Sequence, residues 1–227
     1  MQRQELDLSK INFVGMDDNE FVNQETQKTQ IYLNHTAGNS SGVNCIRYWN
    51  NDKRGRVETC VVISGKDARL SKDGQICQAF SSKYWAYHLG VKKEIFKSQD
   101  VPYQLLDKYS IGIEICNWGY LKERDGKFYN YVNGVVPEED VCVLDKPFKG
   151  HRYWHKYTDA QIESVRQLLV FWHERYNIDI TYNECDMWSL SKRALRGVDG
   201  LYTHNSVRPD KSDIYPCPRM IEMLKSL

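Results

Sequence analysis

Two short, β-branched apolar runs, residues 57–63 and 109–116, limit the fold of this chain more than any other feature. Runs of this length and composition are typical of strands covered on both faces, as in the sheets of α/β proteins. Residues 31–35 form a third candidate strand that leads into a turn, and residues 75–80 alternate as a half-buried strand does. These segments predict a sheet at the centre of the molecule.

Helix signals lie between and after these strands. Ser41 is a candidate N-cap for a helix of about nine residues. Thr158 and Gln161 have capping-box spacing and begin the clearest helix, with an apolar stripe along one face. Further helices are predicted at residues 189–196 and 218–227. Strands mixed with helices, without repeats or a low-complexity linker, predict one α/β domain with a central mixed β-sheet flanked by helices.

The charge and hydropathy of the chain argue against nucleic acids and membranes as binding partners. The chain has 31 basic and 30 acidic residues, so its formal net charge is +1, and it has no long run of one sign. This balance argues against a nucleic-acid partner. No apolar stretch has the length of a signal peptide or a membrane span, so we expect no membrane partner and synthesis as a soluble cytoplasmic protein. The seven dispersed cysteines contain no CxxC pair and are predicted to be reduced thiols.

Glu114 interrupts the apolar run at residues 109–116. A buried carboxylate costs several kcal/mol unless it is paired or bound. One interpretation places the side chain in solvent at the end of the strand, or beside a lysine or arginine. The other makes it a general base whose pKa is raised by apolar surroundings.

The loop at residues 203–218 collects metal-binding and charged side chains between three prolines. His204 and Asp213 are nine residues apart, so a folded loop can present both to one ion. A catalytic zinc site usually has three protein ligands, and His35, at the end of a predicted strand, is a candidate for the third. A solvated histidine is the alternative for each. Lys211 lies two residues before Asp213 and is placed to stabilise an oxyanion, which completes the groups needed for metal-assisted amide hydrolysis.

Six short blocks follow one another between about residue 30 and the C-terminus. They are residues 33–37, 72–78, 86–90, 110–115 and 157–161 and the loop at 203–218. In this order they resemble the zinc-dependent N-acetylmuramoyl-L-alanine amidases of the type 2 amidase family. That family includes phage endolysins, bacterial amidases that recycle wall fragments, and the peptidoglycan recognition proteins. The resemblance implies an α/β fold with a zinc site in a surface cleft.

The resemblance also implies a site and a reaction. Zn²⁺ would be bound by His35, His204 and Asp213, with Glu114 as the catalytic glutamate and Lys211 as the lysine that stabilises the oxyanion. The substrate would be peptidoglycan, cleaved between the lactyl group of N-acetylmuramic acid and L-alanine of the stem peptide. We expect the protein to act on the cell wall, reached after phage lysis or through a secretion machine; recycling of wall fragments is the alternative.

Other site positions follow from the same resemblance. His88, in the block at 86–90, would lie at the substrate cleft. Trp85, considered apart from the resemblance, either lines a glycan groove or packs in the core. Some branches of the family have an assisting tyrosine on the second strand, and residues 58–60 contain none. The third ligand of the family is an aspartate or a cysteine, so Cys217 competes with Asp213, which has the better spacing.

The predicted organisation is an N-terminal arm at residues 1–30 and an amidase catalytic domain at residues 31–227. Insertions are expected near 118–157, with a small hairpin, and near 177–200. A non-catalytic peptidoglycan-binding protein on the same fold is the main alternative function. A cysteine hydrolase is disfavoured because no cysteine has a recognisable nucleophile context. The sequence does not indicate an oligomeric state.

Overall fold

The computed structural model describes residues 6, 8, 11–38, 41–66 and 68–227. The strands are β1 (Asn12–Phe13), β2 (Gln30–His35), β3 (Val61–Ile63), β4 (Ile76–Gln78), β5 (Ser110–Ile115), β6 (Tyr120–Arg124), β7 (Lys127–Tyr129), β8 (Val135–Val136), β9 (Val141–Phe148), β10 (His151–His155) and β11 (Gly200–Thr203). The α-helices are α1 (Gly42–Trp49), α2 (Lys93–Ser98), α3 (Leu106–Tyr109), α4 (Asp159–Tyr176), α5 (Glu184–Met187), α6 (Lys192–Leu195) and α7 (Pro218–Lys225).

A mixed sheet with strand order β1-β4-β3-β5-β2-β11 forms the centre of the molecule. Strands β3, β5, β2 and β11 run parallel to one another, and only the β3–β4 pair is antiparallel. Every residue of β2 and β3 is buried; the apolar composition of β3 predicts this, whereas β2 also buries the polar residues Gln30, Asn34 and His35. Because parallel strands end at the same edge, the residues that follow β2, β5 and β11 are brought together there.

Helices cover both faces of this sheet. On one face, α1, α4 and α7 contribute to the main core, which includes Ile31, Ile113 and Val165. On the other face, α2, α3 and α6 form a smaller cluster around Tyr32 and Tyr202. The predicted single α/β domain with a central mixed sheet flanked by helices is therefore confirmed. No helix in the described ranges is long and apolar enough to cross a bilayer.

The strongest local signals correspond to observed elements. The Ser41 hydroxyl accepts a hydrogen bond from the Asn44 N–H at the start of α1. Thr158 and Gln161 form the capping box of α4, and the helix ends where Asn177 adopts a left-handed conformation. The helix predicted at 189–196 is shorter than expected, because α6 begins only after its N-cap, Ser191.

The strand predicted at residues 57–63 is also shorter, because only Val61–Ile63 pairs in the sheet. The preceding residues are buried but lie outside the ladder. The Thr59 hydroxyl donates to the carbonyl oxygen of Val61 at 2.9 Å. Local bonds of this kind compete with strand pairing and account for the late start of β3.

Residues 118–157 contain much more structure than the predicted small hairpin. They form an antiparallel sheet with strand order β8-β7-β6-β10-β9. Trp154 of β10 is fully buried and joins the main core. The predicted hairpin is present as β6 and β7, but the wider sheet was not predicted, because most side chains of these strands are exposed or half-buried and their apolar pattern is weak.

The predicted boundary at residue 30 stays a prediction, but the structure places residues before it on the domain. Strand β1 pairs with β4 at the edge of the central sheet. Phe21 is buried and stacks on Phe80 with ring centroids 5.0 Å apart. From residue 11 onward, the N-terminal stretch therefore packs as part of the fold. Residues 1–5, 7, 9 and 10 of the predicted arm lie outside the described residues.

Candidate active site

Glu114 lies near the carboxyl end of β5, between the two neighbouring parallel strands. In register it faces Asn34 of β2 and Val62 of β3. It is the one residue of β5 that is not fully buried. Asn34 is 2% exposed, and neither polar atom of its side chain has a partner within the described part of the chain. Two polar side chains therefore stand side by side in an otherwise apolar sheet.

The surroundings of Glu114 favour its protonated form. Burial is the main cause that raises the pKa of Glu114 to about 8; the Asp213 carboxylate adds to this increase, and Lys211 opposes it. The two residues predicted to share its site are thus close enough to act on its charge. A carboxylate with a pKa near neutrality can both accept and release a proton under physiological conditions.

His204 and Asp213 form a hydrogen-bonded pair. His204 directly follows β11 in a short 3₁₀ turn, and its Nδ1 lies 2.5 Å from Oδ2 of Asp213. The other ring nitrogen, Nε2, donates to the carbonyl oxygen of Leu89 at 2.9 Å. Burial alone would raise the pKa of Asp213, but the hydrogen bond and charge of His204 hold it well below its usual value, with help from His35 and Lys211.

His35, the last residue of β2, lies beside this pair. The backbone N–H of Ile214, next to Asp213, donates to Nδ1 of His35 at 2.9 Å. The Tyr157 hydroxyl contacts the same nitrogen at 2.9 Å. Burial is the main cause that lowers the pKa of His35 to about 4, so the ring is neutral at pH 7. Neutral imidazole is the form that binds metal ions.

The chain matches the model of the N-acetylmuramoyl-L-alanine amidase family over residues 24–218. It belongs to this family. Its members hydrolyse the amide bond between N-acetylmuramic acid and L-alanine in peptidoglycan, so the chain is an N-acetylmuramoyl-L-alanine amidase.

Solved structures share the fold. An AmpD structure has 17% identity and a TM-score of 0.52, and the match covers 98% of this chain and 99% of that one. AmiA from Staphylococcus aureus, in complex with its ligand, has 12% identity and a TM-score of 0.53, with 97% and 83% covered. AmiD from E. coli has 16% identity and a TM-score of 0.50, with 88% and 59% covered. No curated protein sequence matches the chain.

The amidase family is generally zinc-dependent, so we tested whether these residues fit the ion. Two imidazoles and a carboxylate are a donor set that zinc prefers in catalytic sites. The Nδ1 of His204 and the Oδ2 of Asp213 are only 2.5 Å apart, so a shared proton or a metal ion must lie between them. His35 is adjacent, but its Nδ1 accepts hydrogen bonds. Within the described ranges, no three His, Cys, Asp or Glu side chains are already arranged to hold a metal ion. The residue types and their proximity fit zinc.

Cys217, the alternative third ligand, has a different neighbour in this amidase. Its side chain is buried at the start of α7 and hydrogen-bonds with Cys142 of β9. That hydrogen bond is the main cause that lowers the pKa of the Cys217 thiol to about 6. The geometry therefore brings Asp213, rather than Cys217, to His204.

The structure does not bring Trp85 and His88 into the Glu114 cluster. Both line a small internal cavity of about 10 Å³, next to the amino end of β5 and with room for about one water molecule. Trp85 is 7% exposed, and its indole N–H has no partner in the described chain. The Nε2 of His88 contacts the Ser110 hydroxyl at 2.8 Å. Their role in substrate binding remains a prediction.

Three contacts of the site were not expected from the sequence. Tyr157 contacts His35, whereas residues 58–60, the position of the assisting tyrosine in some family branches, contain no tyrosine. Asn34 stands next to Glu114. Leu89 supplies only its backbone carbonyl to His204. All three lie in the ordered family blocks, which is the one signal that marks them.

Proposed function

We propose that this amidase is zinc-dependent, with His35, His204 and Asp213 as its metal ligands. The observation that carries the proposal is the His204–Asp213 pair beside neutral His35. These groups follow β2 and β11, which flank one another in the parallel sheet, and Glu114 lies on the next strand, β5. This arrangement supports hydrolysis better than binding alone, because it includes a carboxylate whose pKa is near neutrality.

Within this proposal the residues divide the proton transfers. When bound, Zn²⁺ supplies a Lewis acid that polarises the scissile carbonyl and makes water a better nucleophile. Glu114 accepts a proton from the attacking water as the new C–O bond forms. It then gives that proton to the nitrogen of L-alanine as the C–N bond breaks. The products are a free lactyl carboxylate and a new amino terminus.

Lys211 has the remaining role in this scheme. Its charge acts on both Glu114 and Asp213, so its ammonium group belongs to the same cluster. Negative charge develops on the carbonyl oxygen during attack, and a fixed cation at that point stabilises it. Lys211 also favours the ionised form of Glu114, which is the form that accepts the first proton.

The proposed substrate class is a muramyl peptide. The AmiD structure contains anhydro-N-acetylmuramic acid-L-Ala-D-γ-Glu-L-Lys, and the present chain shares that fold over 88% of its length. We propose that this amidase accepts the same chemical unit, a lactyl amide followed by a peptide. We also propose that it acts on the cell wall after leaving the compartment where it is made.

The proposal is tested by incubating the protein with intact peptidoglycan and counting new L-alanine amino termini. We expect termini to appear, to be lost on chelation and to return when zinc is added. His204→Ala should abolish both zinc binding and product, because it removes a ligand and leaves Asp213 unpaired. Co-sedimentation with the wall without new termini would favour the non-catalytic binding protein. Product that persists through chelation would overturn the zinc site.

A further inference from the structure

The block at residues 86–90 holds a backbone position that faces the proposed metal site. The carbonyl oxygen of Leu89 accepts the hydrogen bond from Nε2 of His204 at 2.9 Å. A carbonyl oxygen only accepts hydrogen bonds, so Nε2 carries the proton. Nδ1 of His204, which faces Asp213, is then the nitrogen left to bind a metal. The position of the Leu89 carbonyl group thereby determines which ring nitrogen of His204 is available to a metal ion.

The turn that carries this carbonyl group is held from one side by Asp107 of α3. The Oδ1 atom of Asp107 accepts the backbone N–H of His88 at 2.8 Å and that of Leu89 at 2.8 Å. Asp107 is 5% exposed and Leu89 is 1% exposed. A buried carboxylate with two backbone donors fixes the orientation of the two peptide groups that directly precede the Leu89 carbonyl, and so limits where that carbonyl can lie.

The same turn is held from the opposite side by the loop that contains His204. An Nη1 donor of Arg208 contacts the carbonyl oxygen of Gly90 at 2.7 Å. The backbone N–H of Arg208 in turn donates to the carbonyl oxygen of His204 at 2.8 Å. The turn at 88–90 is therefore clamped between Asp107 and the metal loop, and it has little freedom to move its carbonyl groups.

We propose that Asp107 is a positioning residue for zinc: it fixes the Leu89 carbonyl, which holds His204 in the tautomer that presents Nδ1 to the ion. This proposal rests on the proposed zinc site. Partners of metal-binding histidines typically change metal affinity by about 10- to 100-fold when they are removed. Asp107 acts one step further out, through a backbone group, and touches neither substrate nor metal.

Substitutions of Asp107 by Asn, Glu and Ala separate the effect of the position of its acceptor oxygen from the effect of its negative charge. Asp107→Asn keeps an oxygen that accepts both N–H groups, so we expect zinc affinity within about threefold of the wild type. Asp107→Glu keeps the charge but moves the oxygens by one methylene, and Asp107→Ala removes them. For both we expect zinc affinity about 10-fold or more below the wild type. Leu168→Ala, in the core of α4, is the matched control that lowers stability away from the site.

The measurement is the zinc dissociation constant of each purified variant, by competition with a chelator, with apoprotein melting recorded in parallel. The absorption spectrum of the Co²⁺-loaded protein reports the ligand geometry. Weak binding and an altered spectrum in Asp107→Glu, with Asn like the wild type, support the proposal. Wild-type affinity in Asp107→Glu overturns it, as does equal weakening in Leu168→Ala. If Asp107→Ala does not fold, the zinc affinities of Asp107→Asn and Asp107→Glu are sufficient to test the proposal.

Failure of the wider zinc proposal gives a different result. A wild-type protein that binds neither Zn²⁺ nor Co²⁺ overturns the metal site and the role of Asp107 together. A wild-type protein that binds zinc and releases L-alanine termini, while Asp107→Glu binds zinc equally well, overturns only the positioning role.

Discussion

Two glutamates in this amidase, one buried and one half-buried, have similar proton affinities and very different neighbours. Burial raises the pKa of Glu114 to about 8, and burial also raises the pKa of Glu58 to about 8. Glu114 is partly exposed, near the charged groups Asp213 and Lys211. Glu58 is 3% exposed and lines the small closed cavity beside Trp85, where its Oε1 has no partner in the described chain.

The comparison shows that a raised pKa alone does not identify a catalytic base. Desolvation produces the same shift in both places, whatever use is made of the proton. The two residues differ in the side chains around them. Of the two, only Glu114 lies at a strand end where other charged and metal-binding side chains come together. Glu58 faces a cavity with room for about one water molecule, which excludes a substrate. The two residues therefore form a matched pair for experiment.

Replacing each glutamate by glutamine should separate them most strongly. For Glu114→Gln we expect kcat to fall by about 10²- to 10⁴-fold, because the amide cannot accept the proton of the attacking water. Zinc affinity should stay close to that of the wild type. For the matched control, Glu58→Gln, we expect kcat within about twofold of the wild type. Release of L-alanine termini and zinc titration give both values. Normal turnover in Glu114→Gln would remove it as the base.

Lys211→Met should give the next largest effect, about a 10²-fold loss of kcat with a smaller change in KM. The methionine keeps most of the apolar stem but cannot stabilise charge that develops on the carbonyl oxygen. Because Lys211 lowers the pKa of Glu114, its removal should also move the acidic limb of the pH–rate profile to higher pH. Lys211→Arg, the control that keeps the charge, should retain the wild-type limb. An unchanged profile in Lys211→Met would place the lysine outside the site.

The site could be predicted from sequence where local signals meet the topology of the sheet. Glu114 stood out as one carboxylate in an apolar strand, and His204 and Asp213 as two ligands on a loop stiffened by prolines. The structure brings these groups together because β2, β5 and β11 run parallel and end at one edge. The clearest helix, α4, was equally predictable from its capping box and apolar stripe.

The parts that sequence did not predict depend on backbone atoms or on exposed strands. The contact between Leu89 and His204 uses a carbonyl group, which every residue has, so no residue type marks it. The five-stranded sheet at 118–157 is largely exposed and lacks the apolar alternation that reveals a strand. The placement of Trp85 and His88 around one small cavity depends on residues distant in sequence, such as Glu58.

The smallest effect, and the sharpest check on Glu58, is on stability. Its pKa of about 8 in the folded protein exceeds the ordinary value of 4.5, so the folded state holds this proton more tightly than the unfolded state. The stabilisation is complete below pH 4.5 and is lost as the pH rises through 8. Glu58→Gln should therefore equal the wild type near pH 4.5 and exceed it by roughly 2–4 kcal/mol at pH 8. Urea unfolding at several pH values measures this difference, with the exposed Glu222→Gln as control. Parallel curves for Glu58→Gln and the wild type would mean that Glu58 is ionised in the folded protein, and its likeness to Glu114 would then be lost.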